Sequence, residues 1–112
     1  MKKYILDTSA ILTLRDDEPG AERVADVLEQ AQRGIVTCLG CFMTLMEVLY
    51  RVWRDEGELC GRHAYEQCLA LPIVWIRESP DLLVRAGELK ASHRLSVADA
   101  WIAACALEEG AS

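Results

Sequence analysis

No run of this sequence stays apolar for the roughly 18 residues that a membrane span requires. The basic start, Met1-Lys2-Lys3, meets only Tyr4, Ile5 and Leu6 before Asp7, too short an apolar core for a secretory signal. Both absences make a cytoplasmic protein the expectation. Positive charge is also scarce: 12 Lys and Arg against 18 Asp and Glu give a net charge of -6. Such a chain does not bind nucleic acid through bulk charge, so any contact must be local. Nor do the cysteines form a disulfide framework, since there are five, an odd number scattered through apolar segments. They read as reduced core thiols. Internal repeats, low-complexity segments and linkers are all missing.

What is present suits one folded domain over residues 1–112. A chain of 12.5 kDa removes roughly 65% of its unfolded surface from water. Its 52% hydrophobic content and mean hydropathy of +0.10 argue against disorder. Short β-branched runs alternate with amphipathic stretches, the pattern of an α/β fold with a parallel sheet flanked by helices. The predicted strands are Lys3–Asp7, Ile35–Cys38 and Ile73–Ile76. The predicted helices are about Ala21–Arg33, Thr44–Glu56, Glu58–Leu71, Pro80–Ser92 and Val97–Glu109, with a further helix beginning near Ala10. Ser79-Pro80 supplies an N-cap, and Gly34 and Gly110 sit where C-terminal caps belong. The last helix is apolar almost all round, which predicts burial. Trp53, Trp75 and Trp101 are predicted to lie in the core.

Three acids carry the chemistry. Asp7 ends the first apolar run, and ligands of parallel sheets bind outside the carboxyl ends of the strands. Asp99 lies in the first turn of the last helix, where the helix dipole favours an anion. Each also has a structural explanation. Asp7 can cap a helix, Ser96-Val97-Ala98-Asp99 fits a capping box, and Glu47 falls on the polar side of its helix, four residues from Arg51. Capping does not predict convergence, however, and all three acids are placed to meet at one edge of a single sheet. Carboxylates about 4 Å apart repel by roughly 4 kcal/mol at an effective dielectric of ~20, so a cluster needs cations. No lysine lies near these motifs, which favours a metal. Oxygen donors select Mg²⁺ or Mn²⁺ and suit phosphodiester hydrolysis, with Arg51, Arg54 or Arg94 on the strand's phosphates.

A zinc module is the main reading of another class, because Cys38-x-x-Cys41 and Cys60-x-x-His63 have ligand-like spacing. A phosphatase of the haloacid-dehalogenase type is disfavoured, since the position two after Asp7 is Ser9 and not a second Asp.

Three segments resemble the motifs of the PIN-domain endoribonucleases, specifically the VapC-type toxins of toxin–antitoxin pairs. They are Tyr4-Ile5-Leu6-Asp7-Thr8-Ser9-Ala10, Thr44-Leu45-Met46-Glu47-Val48-Leu49-Tyr50 and Leu95-Ser96-Val97-Ala98-Asp99-Ala100. The resemblance implies a PIN-like three-layer fold, with Asp7, Glu47 and Asp99 as catalytic, metal-binding carboxylates and Ser9 as a supporting hydroxyl. It also implies RNA substrates, Mg²⁺ or Mn²⁺ as cofactor, a homodimer, and a small antitoxin whose C-terminal segment blocks the site. The family continues past the position of Gly110 into a strand with a fourth acid and one further strand. By that pattern residues 1–112 are a C-terminally incomplete PIN-like domain, Ala111-Ser112 stands where the next strand begins, and the first strand has an unpaired edge that invites self-association. The same departure raises an alternative, a catalytically impaired PIN remnant that binds RNA or an antitoxin.

Overall fold

β2 (Thr37–Cys41) lies at the centre of a parallel sheet, with β1 (Lys3–Ile5) on one side and β3 (Val74–Ile76) on the other. The computed structural model describes residues 1–112. Parallel neighbours need crossover connections, and helices supply them here. α1 (Thr8–Arg15) and α2 (Ala21–Gln32) join β1 to β2; α3 (Phe42–Glu56) and α4 (Glu58–Ala70) join β2 to β3; α5 (Pro80–Ser92) and α6 (Val97–Glu109) follow β3. The register sets Ile5 against Leu39 and Leu39 against Val74.

Alternation along β2 divides the core. Cys38 packs in a cluster with Leu6, Ile11, Leu28, Val48 and Ala64, against the α1–α4 side. Cys41 packs in a second with Leu82, Ala86, Ala104 and Cys105, against α5 and α6. Side chains three apart on a strand project from opposite faces, so the sheet becomes the middle of three layers. No helix is long and apolar enough to cross a membrane.

The predicted α5 and α6 match their observed spans, and their caps explain why. Ser79 Oγ accepts from Leu82 N–H at 3.2 Å, with Pro80 at the first position, and Gly110 closes α6 at a φ of 61°. β2 starts later than expected, at Thr37 and not Ile35. Gly34, at a φ of 76°, ends α2, and Ile35 N–H is tied back to Gln30 C=O at 2.9 Å, which holds Ile35 outside the sheet. β1 ends at Ile5 because Asp7 already caps α1, which begins at Thr8. Gly40 is required within β2, since a Cβ there would lie 2.6 Å from Trp75 Cε3.

Two packing expectations need correction. α6 is not a buried helix: it packs on the sheet, α3 and α5, where Ala100, Ala104 and Cys105 are buried, and leaves Val97 and Leu107 more than half exposed. Trp53 is not in the core. Gly61 brings α4 so close to α3 that a Cβ there would lie 2.8 Å from Trp53 Cβ, and the ring is left outside, under the Arg62 guanidinium. Trp75 and Trp101 are half-buried, the latter meeting Phe42 edge-on with centroids 5.0 Å apart. The outer edge of β1 is not bare either. Ser112 N–H donates to Lys3 C=O and Ser112 C=O accepts from Ile5 N–H, each at 3.1 Å, the pairing of a parallel neighbour opposite Tyr4.

The Gly40 contact is testable. Gly40→Ala should lower stability by about 1–3 kcal/mol through overpacking against Trp75, seen as a lower urea midpoint at unchanged slope. An unchanged midpoint contradicts the close approach of β2 and Trp75.

Candidate metal centre

Asp7 leaves the carboxyl end of β1 and caps α1, its Oδ1 accepting from Ala10 N–H at 2.8 Å. Asp99 follows the N-cap of α6, where Ser96 Oγ accepts from Asp99 N–H at 3.0 Å. Ser96 therefore supplies the cap bond and frees the Asp99 carboxylate for other use. Glu47 comes from the second turn of α3, the helix that follows β2 directly. Because β1 and β2 run parallel and α6 packs against both, these three helix beginnings share one edge of the sheet. The three acids line a single cleft of about 360 Å³ with Thr8, Ser9, Arg51, Ser96 and one apolar residue, Ile102.

Glu47 differs most from its place on a helical wheel. Its side chain is only 12% exposed, because the side of α3 that reads as polar faces the cleft instead of open solvent. Thr8 Oγ1 donates to Glu47 Oε1 at 2.6 Å and lies 3.4 Å from Thr44 Oγ1. A hydroxyl has one proton to give, so Thr8 donates to the carboxylate and accepts from Thr44. Both threonines are buried. On the other carboxylate oxygen, Arg51 Nη2 stands 3.8 Å from Glu47 Oε2, the i,i+4 pair that the spacing predicts. The pair and the cleft coexist, as do the cap and the cleft at Asp7.

Thr8 and Thr44 were not singled out as site residues in the sequence, where Thr8 reads only as a possible cap. The available signal was spacing. Thr8 directly follows Asp7, and Thr44 precedes Glu47 by three residues, hence on the same side of α3. Ser9 lines the cleft, but the hydroxyl bonded to a site carboxylate is that of Thr8.

The arginines divide. Arg51 lines the cleft. Arg54 lies in an adjoining hollow of about 260 Å³, paired with Asp55 at 3.0 Å and set over the Tyr50 ring. Arg94 is exposed in the loop before α6 and is not part of the cleft wall. Arg15 also lines the hollow, and its guanidinium contacts Glu56 at 2.7 and 3.1 Å and holds that carboxyl below its ordinary range.

As the side chains stand, no three His, Cys, Asp or Glu groups converge on one ion position. Asp7 is turned to its own helix and Glu47 to Thr8 and Arg51. The donor chemistry nevertheless fits a hard cation: the wall offers carboxylate and hydroxyl oxygens without thiol or imidazole. The zinc reading fails on geometry. Cys38 and Cys41 are both buried, and they belong to core clusters on opposite faces of the sheet, so they cannot share an ion. Cys60 and His63 share an exposed face of α4, but no third ligand completes a set with them.

The Thr8 bond makes a stability prediction. Thr8→Val leaves Glu47 Oε1 without its donor in a half-buried setting and should cost about 1–3 kcal/mol. Ser9→Ala, at an exposed position, should stay within about 0.5 kcal/mol of the parent. Equal urea midpoints for Thr8→Val and the parent contradict the assignment.

Comparisons with known proteins bear on this arrangement. Residues 4–112 match the family described as PIN domain. No curated protein matches the sequence. Similar solved structures include VapBC2 from Rickettsia felis bound to a DNA fragment from its promoter, at 21% identity and a TM-score of 0.76, covering 97% of this chain and 83% of that one. A toxin–antitoxin complex from Klebsiella pneumoniae matches at 22% identity and 0.65, covering 97% and 82%. VapC20 from Mycobacterium tuberculosis, a toxin that cleaves the sarcin–ricin loop, matches at 13% and 0.71, covering 98% and 85%. At these identities the likeness speaks for the fold. The chain belongs to the PIN domain family, and its parallel sheet between helical layers is the fold of VapC toxin structures.

Proposed function

We propose that this chain is the toxin of a toxin–antitoxin pair, a cytoplasmic endoribonuclease that hydrolyses RNA phosphodiester bonds at the cleft of Asp7, Glu47 and Asp99 with Mg²⁺ or Mn²⁺. The observation that carries the reading is the gathering of these three acids, from three separate helix beginnings, in one polar cleft. Structural capping accounts for Asp7 and for the position of Asp99, but not for their meeting Glu47.

Asp7, Glu47 and Asp99 would hold the cation, with Ser9 and Ser96 as nearby hydroxyls. The bound cation supplies Lewis acidity at the phosphodiester and eases deprotonation of the attacking water. Thr8 keeps Glu47 aimed into the cleft, so the carboxylate is pre-set and loses little freedom on loading. Water adds to phosphorus, the bond to the leaving oxygen breaks, and that oxygen takes up a proton. RNA approaches a chain of net charge -6, so attraction must come from the arginines beside the acids. Arg51, Arg54 and Arg94 are the candidates for phosphate contacts. A second copy of the chain and an antitoxin are the proposed protein partners; the antitoxin reading draws support from the toxin–antitoxin complexes among the similar structures.

One observation favours the alternative of an impaired remnant that binds RNA or antitoxin without cutting: the carboxylates do not converge as the side chains stand. A cleavage assay separates the two. With Mg²⁺ or Mn²⁺ the purified protein should cut RNA, chelator should stop it, and Asp7→Asn should lower the rate about 10²-fold or more. Asparagine is an equally good N-cap, so that loss reports on the site and not on folding. Cleavage that survives both chelator and Asp7→Asn contradicts the nuclease reading. RNA retained without cleavage supports the remnant.

A further inference from the structure

Arg51 occupies an unusual position between two features. It lines the acidic cleft and also the adjoining hollow that holds Arg54, Tyr50 and Glu56. Among the residues of the acidic cleft it is the single cation, set against the three carboxylates of Asp7, Glu47 and Asp99. Its contact with Glu47 Oε2 is 3.8 Å, longer than a hydrogen bond, so the attraction is Coulombic and carries no directional lock. The other oxygen of Glu47 is held at 2.6 Å by Thr8. Glu47 can therefore exchange the partner on Oε2 without leaving Thr8.

We propose that Arg51 is a positioning residue with two exclusive partners: Glu47 while the cleft lacks a metal, and a phosphate of the RNA strand once Glu47 serves a cation. The inference rests on the metal-nuclease reading above and deepens it. The charge balance drives the exchange. With Arg51 alone the cleft keeps a surplus of carboxylate charge, and the guanidinium is drawn to Glu47. With a divalent charge present the surplus is gone, the guanidinium and the metal compete for the same oxygen, and Arg51 is free to face an anion. The arginine thus stands in for the metal in the unloaded protein, and metal loading prepares the phosphate contact.

The test is calorimetric titration of the intact protein with Mn²⁺ alone, without RNA, so that it does not depend on activity. Arg51→Gln removes the competitor and should bind Mn²⁺ about three- to tenfold tighter than the parent, the scale of one partly exposed ion pair. Arg51→Lys keeps the charge and should stay near the parent. Arg54→Gln removes an equal charge that is already paired with Asp55, and should also stay near the parent. Unfolding midpoints check that all variants fold. Unchanged or weaker Mn²⁺ binding by Arg51→Gln overturns the proposal while leaving the metal site standing. Equal tightening by Arg54→Gln also overturns it, since bulk charge then explains the gain. Absence of any Mn²⁺ binding that Asp7→Asn removes overturns the metal reading and this inference together.

Discussion

The hydroxyl of Thr8 joins the end of β1 to the middle of the cleft, and the aim of the Glu47 carboxylate depends on that one contact. Thr8 is the first residue of α1, beside Asp7, and its side chain is buried against Thr44 and Glu47 of α3. A carboxylate in a half-buried setting needs a donor, because unpaired it would be strongly disfavoured. The 2.6 Å bond provides the donor and at the same time fixes where the carboxylate points. The parallel sheet makes the contact possible. It brings the carboxyl end of β1 and the start of α3 to one edge, and α6 adds Asp99 by packing across β1 and β2.

The electrostatics of the cleft follow from that geometry. Three carboxylates share one wall with a single guanidinium, in a chain that is already acidic. Such a site repels RNA unless its charge is reduced, and Arg51 does this only in part. A cation held there, as proposed, would lower the barrier to the approach of a polyanion as well as supply chemistry. Arg51 lines the cleft and Arg54 the next hollow, so the two guanidinium groups follow one another along α3.

Much of this was readable from sequence, for physical reasons that differ by residue. Ser79-Pro80 and Gly110 mark helix ends through local backbone chemistry, and the helices they bound were placed correctly. Gly34 was also read correctly as a cap, but Ile35 beside it has strand propensity and lies outside the sheet, because the turn ties its N–H to Gln30. The gathering of the three acids in one cleft was legible, since each stands at or near a helix beginning. Burial was less so. Periodicity places Glu47 on the polar side of α3 and cannot show that α1 and α6 enclose that side. The apolar circumference of α6 likewise predicts burial, yet one side of that helix lacks a neighbour, and Val97 and Leu107 remain exposed. Trp53 was misplaced by the same limit: only the approach of Gly61 in the fold shows that no room exists for the ring. Thr8 and Thr44 were missed as a pair because nothing in a linear pattern joins residues 36 apart.

The central claim is that Asp7, Glu47 and Asp99 form one metal centre. Anomalous diffraction from a crystal of the protein soaked in Mn²⁺ tests it most directly. The account predicts a manganese peak in the cleft, within coordination distance of oxygens from Asp7, Glu47 and Asp99, and its loss in Asp7→Asn. A peak only elsewhere on the protein, or a cleft without manganese and with the Arg51–Glu47 pair unchanged at saturating Mn²⁺, would contradict it.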